Sequence, residues 1–462
     1  MKVLIINVCM RPDSRVKMFP IGLGYIATAI KKAGYDFDLL DIDALRLSNE
    51  EVIEYLSKQS YDVVCMGAIV TAYKTIKQLT QLVRDQQPDT KIIVGNTVAS
   101  SIPEHLIENT QTDIAVMGEG DVTILELLQA LEKKDDLNNI NGICFKIDGK
   151  IVRTSDRKAI KDIDTLGIID RTIFDIEMYI LNSKEQVHAA YPGDRDNVRS
   201  ININTARGCI ANCTFCYHAF RGFPYRPRTP DNIIKEMALL IEQYGINHFT
   251  FSDELTFFSK KQTLEFSEKV IESGLKINWT GDCRAGLFDS DEDIIIIEKM
   301  KQAGCYGMFF SLENASSEIL KAMNKHITVD MFNKQASLIN KVGISVWTSL
   351  VFGYPQETTE TIAKTFDVCI ENNIFPSIGY LLPQPGSVMF DYAVEHNFIT
   401  DIDDYLHQMG DRQDLRLNLT QMSDEEFETT IHNEAKRCNQ ELGLNMDESN
   451  FIKTQFYQTP KK

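Results

Sequence analysis

Three cysteines set the chemistry that this sequence can do. In RGCIANCTFCYHAFRG, Cys209, Cys213 and Cys216 are spaced C-x3-C-x2-C. Three thiolates this close suit a [4Fe–4S] cube that keeps one iron open to a small ligand. Structural zinc is the rival reading, because it takes four closed ligands and His218 follows the triplet closely. Three core thiols are the plainest alternative. The remaining cysteines do not cluster. Cys9 and Cys65 lie in or at the ends of apolar runs, and Cys144, Cys283, Cys305, Cys369 and Cys438 are scattered. Ten cysteines without a secretory start do not read as a disulfide framework, so the expected compartment is reduced and cytoplasmic.

The triplet directly follows an apolar run, Ile201–Thr205, and five more such runs come after it: His248–Ser252, Ile277–Thr280, Gly307–Leu312, Ser345–Phe352 and Ser377–Leu382. Helix-like stretches lie between them. Asp231, Ser290 and Thr328 stand at helix starts, and Gly304 and Gly343 follow helix ends. Six βα units in a row predict a partial (β/α)6 barrel rather than an eightfold one. Residues 1–135 also alternate, with strands at Val3–Val8, Phe37–Asp41, Val63–Ile69, Ile92–Val94 and Ile114–Met117 and helices near 22–33, 49–58, 73–86 and 121–133. Continuous Val/Ile runs are what a parallel strand buried on both faces needs. The fold class is therefore α/β: an N-terminal doubly wound, Rossmann-like parallel sheet, a partial barrel, and a helical C-terminal region. Gly142–Lys146 and Lys150–Thr154 read as a hairpin through Asp148-Gly149. The expected division is 1–150 for the first domain, 151–195 for a linker, 196–395 for the barrel and 396–462 for the C-terminal region.

The whole chain has 462 residues and a net charge of −18. Without a basic stripe, that charge argues against a nucleic-acid or anionic-membrane binder. The apolar runs are strand-sized, so no transmembrane segment is expected. Arg221, Arg226 and Arg228 offer a hold on an anion, or equally a set of pairs for an acidic surface.

With the triplet, strand order and loops taken together, the chain resembles the radical S-adenosylmethionine (SAM) superfamily. The resemblance implies that the open iron chelates the amino and carboxylate groups of SAM, and that an electron from the cluster cleaves SAM to a 5′-deoxyadenosyl radical. It implies further that Phe215 packs near the adenine. Ser252, Asp253 and Glu254 of FTFSDELTFF would bind the SAM amino group, Arg284 of WTGDCRAG its carboxylate, and Glu313 of MFFSLENAS its ribose or methionine part. All these groups end barrel strands, where barrel active sites sit.

FPIGLGYIATAIKKAGYDFDLLDID, DVVCMGAIVTAY, KIIVGNTVASSIPEHLI and DIAVMGEGDVTILELLQAL resemble the cobalamin-binding domain that precedes the barrel in one class of that superfamily. Gly22 and Gly24 would let the first helix approach the macrocycle. Thr71, Gly95, Asn96, Thr97, Gly118, Glu119 and Gly120 would meet the corrin edge or nucleotide tail at strand ends. Many such domains carry D-x-H-x-x-G after the first strand. Here NVCMRPDSRVKMFPIG has no His, and His105 lies out of register. The expected cofactors are a [4Fe–4S] cluster, SAM and cobalamin. The expected reaction is methylation of an unactivated carbon, or less often phosphorus, in a small metabolite, lipid or natural-product intermediate. An electron donor such as flavodoxin or ferredoxin is implied. The alternative is radical cyclisation, dehydrogenation or rearrangement without methyl transfer. A second cluster on Cys9, Cys65 and Cys144, as a methylthiotransferase needs, requires those thiols to converge. A non-catalytic sensor has no need of an open iron.

Overall fold

Buried Val and Ile runs build two separate parallel sheets. The structure, a computed structural model, describes residues 1–410 and 414–452; positions 411–413 and 453–462, within the C-terminal region expected to be helical, lie outside the described residues. By contacts the chain forms two compact units that interleave along the sequence. The first comprises Met1–Tyr179, Tyr217–Pro224 and Gln384–Gly410, and the second Ile180–Cys216, Tyr225–Pro383 and the described part of 411–462.

In the first unit, β1 (Val3–Asn7), β2 (Phe37–Asp41), β3 (Val63–Gly67), β4 (Lys91–Gly95) and β5 (Ile114–Val116) are parallel in the order β2-β1-β3-β4-β5. Every residue of β1 is buried, as a strand covered on both faces must be. Helix Ile21–Lys32 packs on Gly120–Lys133, and Asn49–Ser57 packs on Tyr73–Gln86. The order reverses at β1, so β1 and β3 flank the crevice where such sheets take ligands. β6 (Ile143–Ile147) and β7 (Lys150–Arg153) extend the sheet antiparallel, through left-handed Asp148 and Gly149. Two short helices, Asn96–Ser101 and Pro103–Asn109, follow β4. Residues 155–179 pack on this unit: Asn7 donates to Asp41 (2.7 Å) and to the Tyr179 hydroxyl (3.2 Å), and Tyr179 donates to Asp41.

In the second unit, β8 (Ser200–Ile203) leads through the short antiparallel pair β9 (Ala206–Arg207) and β10 (Arg226–Pro227) to β11 (His248–Phe251), β12 (Asn278–Asp282), β13 (Cys305–Phe309) and β14 (Ser345–Trp347). The parallel order is β8-β11-β12-β13-β14. The fifth run of the barrel is broken once. Thr348 turns its Oγ1 to accept from the Leu312 amide (2.8 Å), and the strand resumes as β15 (Ser349–Phe352), paired with β16 (Ser377–Tyr380). A bridge between Glu313 and Leu350 carries the sheet across the break. Six strand positions in sequence order make the expected partial barrel. Among the described residues, no helix is long and apolar enough to cross a membrane.

Ser290 and Thr328 cap their helices as expected, and Gly304 and Gly343 adopt the left-handed conformation beyond helix ends. Asp231 does not cap. Pro230 tolerates the first helical position because it has no N–H to satisfy, so Thr229 is the cap and accepts from Asn232 at 3.3 Å.

Gly304 has φ +96°, and a Cβ there would lie 2.1 Å from the Ile277 carbonyl oxygen, so only glycine fits between the helix end and β12. Gly274 is also left-handed (φ +70°) but faces open space. Gly304→Ala should lower unfolding free energy by about 3 kcal/mol, and Gly274→Ala by only about 1 kcal/mol. Equal denaturation midpoints for the two variants would contradict this packing.

Candidate active site

The cysteine loop leaves β9 and is tied down by one turn elsewhere in its unit. Thr214, between Cys213 and Phe215, donates its amide to the Met323 carbonyl (2.9 Å) and its hydroxyl to the Ala322 carbonyl (2.9 Å). Its Oγ1 also lies 2.7 Å from the Tyr354 hydroxyl. Asn324 donates to the Asn212 carbonyl at 2.9 Å. Inside the loop, the Cys216 amide bonds to the Cys213 carbonyl (3.3 Å). None of the three forms a disulfide; Cys213 is buried, and Cys209 and Cys216 are half-buried.

The same turn, Ala322–His326, delivers Lys325 to the carboxyl edge of the sheet. Lys325 Nζ donates to Glu313 Oε1 at 2.9 Å, with both side chains nine-tenths or more buried. Ser349 donates to the other carboxylate oxygen (3.2 Å). Glu313 has φ +64°, a strained conformation for a non-glycine residue. It is held by ladder bonds to Ser349 and Val351 and by its neighbour Asn314, which donates to buried Glu357 (3.1 and 3.2 Å). Glu357 also accepts from Thr361 and from the Gly353 amide. Lys325 Nζ stands 6.0 Å from the centroid of the Phe215 ring, and Arg284 donates to the Lys325 carbonyl. Phe215, Arg284 and Glu313 are thus brought together, with Lys325 as their common neighbour.

The carboxylates after β11 divide in role. Asp253 is turned inward and accepts from Asn204 (2.6 Å), Thr205 amide (2.8 Å) and hydroxyl (2.5 Å), Ala206 amide (3.1 Å) and Thr256 (3.2 Å). It fixes the start of the cysteine loop. Ser252 and Glu254 are exposed, and Glu254 accepts from the Gly208 amide (3.3 Å). Asp282, at the end of β12, is half-buried. Burial, reinforced by the Asp253 charge, pushes its carboxyl up to about 8. Arg226 and Arg228 are buried, and Arg228 pairs with Glu236 at 2.5 Å, so that arginine serves the interior.

In the first unit, the strand ends separate the candidates differently. A Cβ on Gly22 or Gly95 would meet nothing within 4 Å. Thr71 is half-buried and left-handed Asn96 is exposed. Gly118 is left-handed beside Phe223. The other candidates serve packing. Gly24 faces Phe19 and Ile169, where a Cβ would come within 3.0–3.1 Å, and Gly120 faces Ile26. Thr97 accepts from the Val70 amide (2.8 Å), and Glu119 accepts from the Ile160 amide (2.8 Å). His105 is held by Asp403 (3.1 Å), Tyr73 (3.3 Å) and Asn109 (3.3 Å).

Residues 11–128 match the model of the B12 binding domain, and residues 203–369 match that of the radical SAM superfamily. The chain joins a B12-binding domain to a radical SAM domain. It is 26% identical over 383 residues to an uncharacterised methyltransferase of Pyrococcus horikoshii, covering 82% of this chain and 79% of that one. It is 27% identical over 394 residues to the anaerobic magnesium-protoporphyrin IX monomethyl ester cyclase of Rubrivivax gelatinosus, covering 84% and 68%. The structure of the radical SAM methyltransferase TsrM from Kitasatospora setae superimposes with a TM-score of 0.67 at 18% identity, covering 86% of this chain and 77% of that one.

A radical SAM enzyme of this class holds a cluster, and the triplet fits one. Among the described residues, no three His, Cys, Asp or Glu side chains are arranged to hold a single metal ion. A [4Fe–4S] cube takes each thiolate on a different corner iron, so three thiols leave one iron open. A flat macrocycle fits the open backbone at Gly22, in the first turn of helix Ile21–Lys32, and at Gly95, which ends β4. Sequence reasoning missed Lys325, Asn324 and Asp282. Asn324 and Lys325 sit in no motif and look like ordinary polar loop residues, and Asp282 lies in WTGDCRAG, where Arg284 drew the reading.

Cys213→Ala should abolish cluster iron and SAM cleavage while leaving the far-ultraviolet circular dichroism intact, because the change removes one sulfur and the loop is held by Thr214 and Asn324 rather than by the thiol. Release of 5′-deoxyadenosine by that variant would remove the cluster from this loop. A second expectation concerns pH. Between about pH 4 and 8 the folded chain keeps a proton on Asp282 that the unfolded chain has lost, so stability falls as pH rises through that window. Asp282→Asn should flatten this slope in urea unfolding measured across the window.

Proposed function

We propose that this enzyme transfers a methyl group to an unactivated carbon, or less often a phosphorus, of a small metabolite, lipid or natural-product intermediate. The observation that carries the reading is the presence, in one chain, of a B12-binding domain and a radical SAM domain with its cysteine triplet intact. The methyltransferase names of the Pyrococcus relative and of TsrM support it. A carbon without an acidic proton cannot be made nucleophilic by a protein base, so ordinary SAM methylation is closed to it. In this reading Cys209, Cys213 and Cys216 would hold the cluster, a one-electron donor, and Gly22, Thr71, Gly95 and Asn96 would hold cobalamin, a methyl carrier.

The chain's own residues bind and aim. Phe215, Glu313 and Arg284 hold SAM beside the triplet, with Ser252 and Glu254 facing its amino group. Asp253 keeps the loop in place from within. Positioning of this kind substitutes for acid–base catalysis, since the cofactors carry the bond-making steps. A small iron–sulfur or flavin protein such as ferredoxin or flavodoxin delivers the electron, in a reduced cytoplasmic setting. The cyclase relative supports one other reading, a radical ring closure without methyl transfer.

Product analysis separates the two. Methyl transfer consumes two SAM per turnover, giving one S-adenosylhomocysteine and one 5′-deoxyadenosine with methionine. Metabolites of a deletion strain and its parent should then differ by one methylene. A loss of two hydrogens in that comparison, with no S-adenosylhomocysteine formed in vitro, would establish the cyclisation reading instead.

A further inference from the structure

Side chains alternate across the barrel strands, and one face of that alternation carries polar groups without partners. Trp279 of β12 stacks on Phe251 of β11, and both meet Phe266 of helix Lys260–Ser273, so these residues face the outer helix layer. Gly281 shares that side, where a Cβ would lie 3.3 Å from Phe251. Thr250, Thr280 and Asp282 therefore line the concave side of the sheet. Thr250 and Thr280 are register partners, and Asp282 lies beside Phe309 of β13. Lower down, Tyr191, Tyr306 and Trp347 close the same side. The Asp282 backbone is fixed: its amide donates to Thr256 (3.2 Å) and its carbonyl accepts from the Phe257 amide (3.1 Å). Its carboxylate is not. Among the described residues, neither that carboxylate nor the hydroxyls of Thr250 and Thr280 have a hydrogen-bond partner, although Thr280 is only 9% exposed. No cation answers Asp282 either. Arg284 is committed to the Lys325 carbonyl and Lys325 to Glu313, and the charge that does face Asp282 is another acid, Asp253. A desolvated carboxylate beside an acid is costly to ionise unless a cation arrives.

We propose that Asp282, Thr280 and Thr250 form a substrate subsite on the barrel wall that holds a cationic amine, an ammonium borne by the small molecule on which the radical acts. Asp282 supplies the counter-charge. A primary ammonium has three N–H groups, and the carboxylate and two hydroxyls offer one acceptor each. A hydrocarbon placed here would leave all three groups buried without partners. The proposal rests on the reading of the chain as a radical enzyme acting on a small molecule, and it holds for methyl transfer and for cyclisation alike. It narrows that substrate class to amines.

The test gives anaerobic holoenzyme of verified iron content SAM, a reductant and the small-molecule extract of a strain lacking this gene. The extract is first split on a sulfonate cation exchanger at about pH 2, where carboxylates are protonated and amines stay charged. The retained fraction should raise 5′-deoxyadenosine formation above the rate without extract, and the unretained fraction should not. Asp282→Asn should raise the amount of retained fraction needed for half-maximal rate by about ten- to a hundredfold, the worth of a hydrogen bond to a charged group. Thr280→Val removes one acceptor at nearly constant shape and should raise it by about three- to tenfold. That variant is the second measure if the Asn variant folds poorly. SAM affinity, from equilibrium dialysis without reductant, should change by no more than about twofold in either variant. Stimulation by the unretained fraction alone, or by no fraction, would overturn the proposal. Half-maximal amounts unchanged in both variants would do the same. A loss of SAM affinity as large as the loss on the extract would give the carboxylate to the SAM amino group, and so overturn it too. Wild-type enzyme that forms no 5′-deoxyadenosine under any condition would strike down the radical reading itself, and the amine subsite with it.

Discussion

A buried ion pair organises the carboxyl edge of the barrel sheet. Glu313 ends the fourth strand position and Lys325 comes from the turn after helix Ser317–Ala322. Removing either partner would strand a charge in low dielectric, at a cost of roughly 3–5 kcal/mol. The pair therefore locks two segments that share no ladder. Through the carbonyls of Ala322 and Met323 and the Asn324 amide, the same turn grips the cysteine loop at Thr214 and Asn212. The position of the triplet thus depends on a contact more than a hundred residues downstream. Glu357 supports the other side by fixing Asn314 and Gly353, so the ends of the fourth and fifth strand positions move as one piece.

Patterns that repeat along the chain were legible. The six apolar runs of the barrel, the five of the first unit and the left-handed Asp148-Gly149 turn all report local periodicity or a local conformational need. The triplet was legible because three thiols at short spacing have few other uses. What was not legible is convergence. Lys325 in KAMNKHIT has the look of a solvated charge, and only the strained turn reveals that it points inward. Asp253 and Glu254 are adjacent and alike in sequence, yet one is consumed by five hydrogen bonds and the other reaches solvent. Spacing gives no sign of that difference. Asp231 and Thr229 compete for one cap, and a proline between them decides the matter.

The first unit gives the same lesson with its glycines. Gly22 and Gly24 look equivalent at the start of one helix. Gly24 exists for Phe19 and Ile169, whereas Gly22 faces open space. The loop after β1, without a histidine, is instead tied by Arg46, which donates to the Cys9 sulfur (3.2 Å) and the Ser14 carbonyl (3.1 Å), and by Lys17 to the Ala44 carbonyl (2.6 Å). His105 is enclosed by Asp403, Tyr73 and Asn109, so its ring is part of the scaffold.

Asn324 and His326, the two left-handed residues around Lys325, have a thermodynamic consequence. A non-glycine residue in that region costs on the order of 1–2 kcal/mol, somewhat less for asparagine. A free lysine side chain carries about 2 kcal/mol of rotamer entropy that is lost when it is immobilised. Here that loss is incurred when the chain folds, through the bent turn and the carboxylate of Glu313. A side chain already still keeps the turn in one place, and with it the cysteine loop that Thr214 and Asn324 tie to that turn. Folding stability is lower by the strain of the turn, and the difference reappears as rigidity at the one place beside the cysteines where a mobile cation would be least useful.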